Sequence, residues 1–242
     1  MMRNLLTLAA FLLTFLPLHA QGDYEDLLVL YVDEDYEKCI SKAERYTERD
    51  QTRRDALPYL FLSMCYFEIS KLDEYTSQPE WRKADRDALR HAKRYRRKDK
   101  ELVYFNNFED YWEDLNTMAM ETGLMWFEEG DYSKARRRFD KMVDYYPENA
   151  GAWQMLALCQ EKLRLRRDAE ESMEEFRKAY AALGDIERLP KDQRRLLRTA
   201  LIRYAEHMDT AGMRDSAQVV MELGQEAFME NAEFKGLYEE LN

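Results

Sequence analysis

Histidine, cysteine and sequestered carboxylate pairs are the side chains most able to do chemistry, and this chain offers them without a working pattern. Its three histidines are His19, His91 and His207. A metal site on a helix wants a second His or Cys three or four residues away, and neither His91 nor His207 has one. Cys39, Cys65 and Cys159 form no C-x-x-C, and an odd count leaves at least one thiol unpaired. Each falls where a helix meets its neighbours, so buried apolar thiols are expected. A Cys39–Cys65 bridge is the sharper alternative. Asp and Glu together number 48, too many for any one pair to stand out as a general acid and base. No context suggests a nucleophile triad, and no glycine-rich loop waits for phosphate. Catalytic residues, bound metal and organic cofactor are therefore all expected to be absent, and the chain reads as a non-enzyme.

The charge pattern is more informative. Trp81 to Lys100 is strongly basic, and Arg86, Arg90, Lys93, Arg94 and Arg97 form a candidate patch for an acidic partner, a lipid headgroup or a polyanion. The plainer reading is a solvated helix face, with Ala84, Ala88, Ala92 and Tyr95 turned inward. A second cluster, Arg136 to Arg138 with Arg164, Arg166 and Arg167, reads as ordinary outer surface. The whole chain carries a net charge of −11, the wrong sign for a nucleic-acid binder.

Eight Gly and five Pro in 242 residues are few breakers, and 45% hydrophobic residues are ample for a core. Helix is expected nearly throughout. The first twenty residues differ: Arg3, an uncharged apolar run from Leu5 to Leu16, Pro17, and a small residue at Ala20. These features predict a signal peptide, 1–20, with cleavage before Gln21 and a helical domain over 21–242. The expected address is outside the cytoplasm, periplasmic or associated with the cell envelope. No other segment is apolar enough to span a membrane.

Within 116–177 the chain repeats itself at 34 residues: Gly123 recurs as Ala157, Ala135 as Ala169, Phe139 as Met173. A fixed period marks a solenoid, in which each unit buries its apolar face against the next. In the clearest unit Gly130 ends one helix, Asp131 can cap the second, Pro147 stops it, and Asn149 can cap the following helix. Gly123 and Ala135 are expected to face each other across a close helix crossing. Gly123-x₂-Trp126, Tyr132, Ala135-x₃-Phe139 and Pro147 have the spacing of the tetratricopeptide repeat, which this stretch resembles, and Trp153-x₂-Leu156-Ala157 with Ala169-x₃-Met173 matches again. The intervals persist more weakly at Leu27, Cys39 and Ala43, and at Ala205, Gly212, Ala217 and Met221.

The resemblance implies an all-α fold: a right-handed solenoid of about five hairpins, near 22–50, 55–98, 101–147, 149–184 and 190–230, plus a capping helix at 232–241. An insertion is expected around 70–80, and a long first helix running from about Leu102. The resemblance also implies a non-catalytic interaction module; together with the expected signal peptide it reads as an adaptor or assembly factor of a bacterial envelope. Its partner would be another protein or peptide, held by the first helices that line the concave face. Tyr31, Leu60, Met64, Phe67, Met120, Leu124, Phe127 and Leu158 fall there by spacing, along with Tyr24, Leu28, Gln154 and Glu161. An apolar concave face suits a peptide or helix. Two alternatives stay open. The superhelix closes on itself and these residues are core, or the face is an aromatic-lined cavity for a glycan or lipid.

Overall fold

The computed structural model describes residues 24–242; the expected signal peptide, 1–20, lies outside them. Among the described residues there are thirteen α-helices and two short 3-10 turns, and no strand. The hairpins are α1 (Glu25–Val32) with α2 (Tyr36–Glu48), α3 (Leu57–Ser70) with α5 (Ala84–Lys98), α6 (Glu109–Glu128) with α7 (Tyr132–Tyr145), α8 (Ala150–Lys162) with α9 (Arg166–Ala182), and α10 (Lys191–Thr210) with α11 (Arg214–Glu222). Short α4 (Asp73–Thr76) occupies the insertion, α12 (Gln225–Phe228) follows α11, and α13 (Ala232–Leu241) closes the end. The result is the expected helical solenoid of tetratricopeptide-like hairpins. No helix of the described residues is long and apolar enough to cross a membrane.

The hairpin turns show why the register holds. Glu34, Gly130, Arg164 and Gly212 are all left-handed, with φ of 60°, 78°, 61° and 77°, and each stands two residues before the next helix. At three of these turns the following amide reaches back to close the helix: Asp35 N–H to Leu30 O, Leu165 N–H to Gln160 O, and Met213 N–H to Met208 O. Counting from each turn, Leu27, Gly123, Ala157 and Ala205 occupy one buried position, and Cys39, Ala135, Ala169 and Ala217 another. The weak outer repeats thus share the geometry of the central one. The side chains of Asp131, Asn149 and Asn231 cap α7, α8 and α13, accepting from Lys134, Ala152 and Phe234 N–H at 3.1, 3.0 and 3.1 Å.

Three expectations need correction. The first helix of the central hairpin starts at Glu109, not near Leu102. The Asp99 carboxylate accepts the Val103 and Tyr104 amides at 2.8 and 3.1 Å and the Tyr95 hydroxyl, which turns the chain; Leu102 goes to φ 56° and a 3-10 turn at Phe105–Phe108 intervenes. Second, the side chain over Gly123 is the Phe139 ring, not Ala135: a Cβ on Gly123 would meet Phe139 Cζ at 2.8 Å. Third, the last hairpin breaks after Glu222, where Gly224 lies under the Phe228 and Phe234 rings.

Cys39, Cys65 and Cys159 are buried free thiols. Cys65 lies against Cys39, which together with burial pushes its thiol pKa up. Trp112 centres an aromatic cluster: it stacks on Phe105 at 4.8 Å and Tyr95 at 5.3 Å, and its indole N–H donates to Phe105 O at 3.1 Å.

α8 and α10 approach closely at Gly151. A Cβ on Gly151 would lie 2.6 Å from the Leu197 backbone nitrogen and 2.8 Å from Leu196 C. Only glycine permits that crossing. α8 is buried on nearly every side, as its all-round apolar sequence requires, packed by α7, α9 and α10. At the α10 start Asp192 is 5% exposed, and neither carboxylate oxygen makes a well-formed hydrogen bond, although Asn116 and the Gln193 amide lie close enough to offset part of the burial cost. Facing Asn116 has its carbonyl committed to the Tyr145 hydroxyl at 2.5 Å. Burial raises the Asp192 carboxyl to about 6.

Two predictions follow from these contacts. Gly151→Ala forces backbone apart and should cost about 2–4 kcal/mol, more than Gly123→Ala at about 1–3, where a ring can yield; urea midpoints of the pair compare them, and equal small losses would contradict the crossing. Asp192 has a folded pKa above its unfolded one, so the protonated form favours folding. Its contribution is complete below about pH 4 and lost as pH rises through 6. Asp192→Asn should therefore gain about 1–3 kcal/mol over wild type at pH 7.5 and little at pH 4, read from melts at the two values.

Candidate interaction surfaces

The apolar set assigned to the concave face has mostly become core. Leu60, Met64, Phe67, Met120, Phe127 and Leu158 are buried, at 0, 4, 4, 1, 8 and 0% exposure. Tyr31 and Leu124 are half-buried, and Leu28 stands out at 47%. These buried residues do not form an open apolar groove among the described residues, for a definable reason. The first turns of α6 lay Tyr111 against α3: its ring meets Phe67 at 5.8 Å and its hydroxyl donates to Ser63 Oγ at 2.6 Å. Further along, α6 reaches α10 directly. Arg195 pairs with Glu121 at 3.0 Å, and Arg203 with Glu128 at 2.8 Å. Glu161, read as concave, takes the Tyr204 hydroxyl at 2.7 Å and His207 Nε2 at 3.0 Å, both from α10. Gln154 is buried outright.

That side is not closed everywhere. An opening of about 430 Å³ is lined by Phe127, Glu128, Lys162, Arg203 and His207. Between the α1–α3 face and the start of α6 lies a cleft of about 470 Å³. Tyr31, Phe67, Phe108 and Tyr111 supply aromatic edges; Asn106, Asn107, Glu68, Glu109, Asp110 and Asp114 supply polar groups. Glu68 is held by Lys71 at 2.5 Å, and Tyr31 OH reaches it at 3.5 Å. Exposed Glu109, Asp110 and Asp114 have no ion pair among the described residues. Only Tyr31 and Phe67 of the concave set reach this cleft; apart from Glu68 on α3, its remaining lining comes from the turn and first residues of α6, which spacing alone did not single out. The run N-N-F-E-D at 106–110 is the signal that was available: polar residues interrupting an apolar stripe.

The basic segment is not one patch. On α5, Arg90 pairs with Asp87 at 2.9 Å beside His91, which stacks on Tyr66 at 5.4 Å. Burial pushes His91 down to about 3, so it stays neutral. Arg94 and Arg97 are exposed. Lys93 turns to α7 and meets Asp144 at 2.5 Å, and Arg96 meets Glu148 at 2.6 Å. Arg86 also turns to α7, where it lines a pocket with Leu89, Trp126, Lys134, Arg137, Arg138 and Lys141. Two basic clusters distant in sequence are thus joined by the packing of α5 on α7. Arg136 lies apart from this pocket, in a shallow site with Asp140, Trp153 and Asp168.

Among the described residues no group of three His, Cys, Asp or Glu is placed to hold a metal ion. Filling of the concave side gives a direct expectation: Phe67→Ala and Phe127→Ala should each cost about 3–5 kcal/mol of folding free energy. Chemical denaturation of the two variants checks this, and losses below about 1 kcal/mol would restore the open groove.

Residues 127–189 match the tetratricopeptide repeat family, covering the end of α6, α7, α8, α9 and the turn beyond. No curated protein matches the chain. Residues 127–189 are thus similar to tetratricopeptide repeats, and the described residues form a helical solenoid of tetratricopeptide-like hairpins.

Proposed function

We propose that this chain is a non-catalytic adaptor or assembly factor, exported to the cell envelope, that holds an extended segment of another protein in the cleft between α3 and the start of α6. Tetratricopeptide repeats generally mediate protein–protein interaction, which supports a protein partner. The observation that carries the reading is the cleft's composition: aromatic edges beside two exposed amides and three unpaired carboxylates. Aromatics give contact area, Asn106 and Asn107 can pair with a peptide backbone, and the carboxylates select a segment bearing Lys or Arg. The export reading is supported by the basic, apolar and small-residue order of 1–20.

Selection of displayed random peptides on the intact protein tests this. Enriched peptides should combine an aromatic or aliphatic residue with Lys or Arg, and binding should weaken as salt rises. Charge reversal at Asp110 and Asp114 to Lys should weaken the selected peptides by about 1–3 kcal/mol with an unchanged melting curve. Enrichment of acidic peptides, or indifference to the charge reversal, would overturn the assignment.

A further inference from the structure

The pocket between α5, α6 and α7 has a composition at odds with the rest of the protein. The chain is acidic by 11 charges, yet five of the seven residues lining this pocket are cationic and none is acidic. Its floor is the Trp126 indole and Leu89, with Arg138 over the indole at 5.2 Å from the ring centre and Lys134 at 5.9 Å. Carboxylates outside the pocket neutralise only part of the charge. Arg138, 3% exposed, is pinned by Asp85 at 2.5 Å, and Lys134 by Asp131 at 2.6 Å. Lys141 must share Asp144 with Lys93, at 3.5 and 2.5 Å. Arg137 donates only to Ser133 Oγ at 3.2 Å, and Arg86 has no ion pair among the described residues. About three cations therefore converge without a carboxylate of their own, above an apolar floor that lowers the local dielectric and focuses their field.

We propose that this pocket is a binding site for a small amphiphilic anion: one ring or a short acyl chain bearing a phosphate or carboxylate. Its volume, about 150 Å³, is of the size that accepts a benzene-sized group. The ring or chain lies on Trp126 and Leu89, and the anionic head meets Arg86 and Arg137 at the mouth, where both are exposed and free to move. Arg138 stays with Asp85 and packs over the indole. Neither half suffices alone, because an inorganic anion leaves the indole uncovered and a neutral ring leaves the cations unpaired. The site lies where second helices α5 and α7 meet the end of α6 and shares no residue with the cleft assigned to a protein partner, so the two proposals stand or fall separately.

The four tryptophans give a direct readout, since each contributes one indole N–H resonance to a nitrogen-15 spectrum. With the Trp126 signal assigned from Trp126→Phe, phenyl phosphate titrated into the intact protein should shift that resonance saturably. Hexanoate should shift it too, while inorganic phosphate at equal concentration should leave it in place. Arg86→Gln and Arg137→Gln should each weaken phenyl phosphate at least fivefold, and Arg86→Glu and Arg137→Glu at least tenfold, with melting curves unchanged because both side chains are exposed. A Trp126 resonance unmoved by phenyl phosphate would overturn the proposal. So would inorganic phosphate binding as tightly as phenyl phosphate, which would mark a diffuse basic surface, or full affinity in the Glu variants.

Discussion

The rest of the structure depends on one close crossing, Gly151 against the α10 backbone at Leu196 and Leu197. A Cβ there would fall inside the van der Waals distance of the α10 backbone, so any side chain would push α10 away from α8. With glycine, α10 lies down along α8, and its outward arginines come within reach of α6. Glu121 and Glu128 then find Arg195 and Arg203, while Glu161 finds Tyr204 and His207. These surface pairs each contribute little, but they follow from the crossing rather than create it. The consequence is topological: α8 is enclosed, and what would have been the concave face becomes interior.

Closure at the other end has a different cause. Asp99 gathers two backbone amides and the Tyr95 hydroxyl, which stops one helix and delays the next until Glu109. The delay folds Phe105 back onto Trp112, and α6 then runs across α3 with Tyr111 reaching Ser63. Hairpins that would splay in an open superhelix are bound by aromatic packing on one side and helix crossing on the other. Accessible sites include the rim, where N-N-F-E-D meets Tyr31 and Phe67, and the α5–α7 seam, where arginines and lysines surround Trp126.

Much of this was legible before the structure. The turn positions at Gly130 and Gly212, the caps at Asp131, Asn149 and Asn231, and the small residues at Gly123, Ala157 and Ala205 follow from local conformational preference and a fixed period. The limits lay where distant segments meet. Gly151 sits in A-G-A-W, where it reads as one more small residue at a helix start; its role appears only when α10 is in place. The all-round apolarity of Leu57–Ser70 and Ala150–Lys162 did signal burial on every side, and weighing it above the face pattern would have favoured a closed superhelix. Arg86 and Lys134 belong to separate basic runs, and no pattern along the chain says that α5 packs on α7. Leu102 sat within a regular apolar stripe, and the stripe alone could not show that Asp99 would break it.

The central claim, that the concave side is interior, is tested most directly by native-state hydrogen exchange of α8. Enclosure by α7, α9 and α10 predicts that the amides of Met155 to Cys159 exchange only through global unfolding, with opening free energies equal to the denaturant value. They should also be slower than the amides of α9, whose outer face meets solvent. If instead Met155 to Cys159 exchange at the rate of exposed helix amides, α10 does not lie along α8 and the concave face is open.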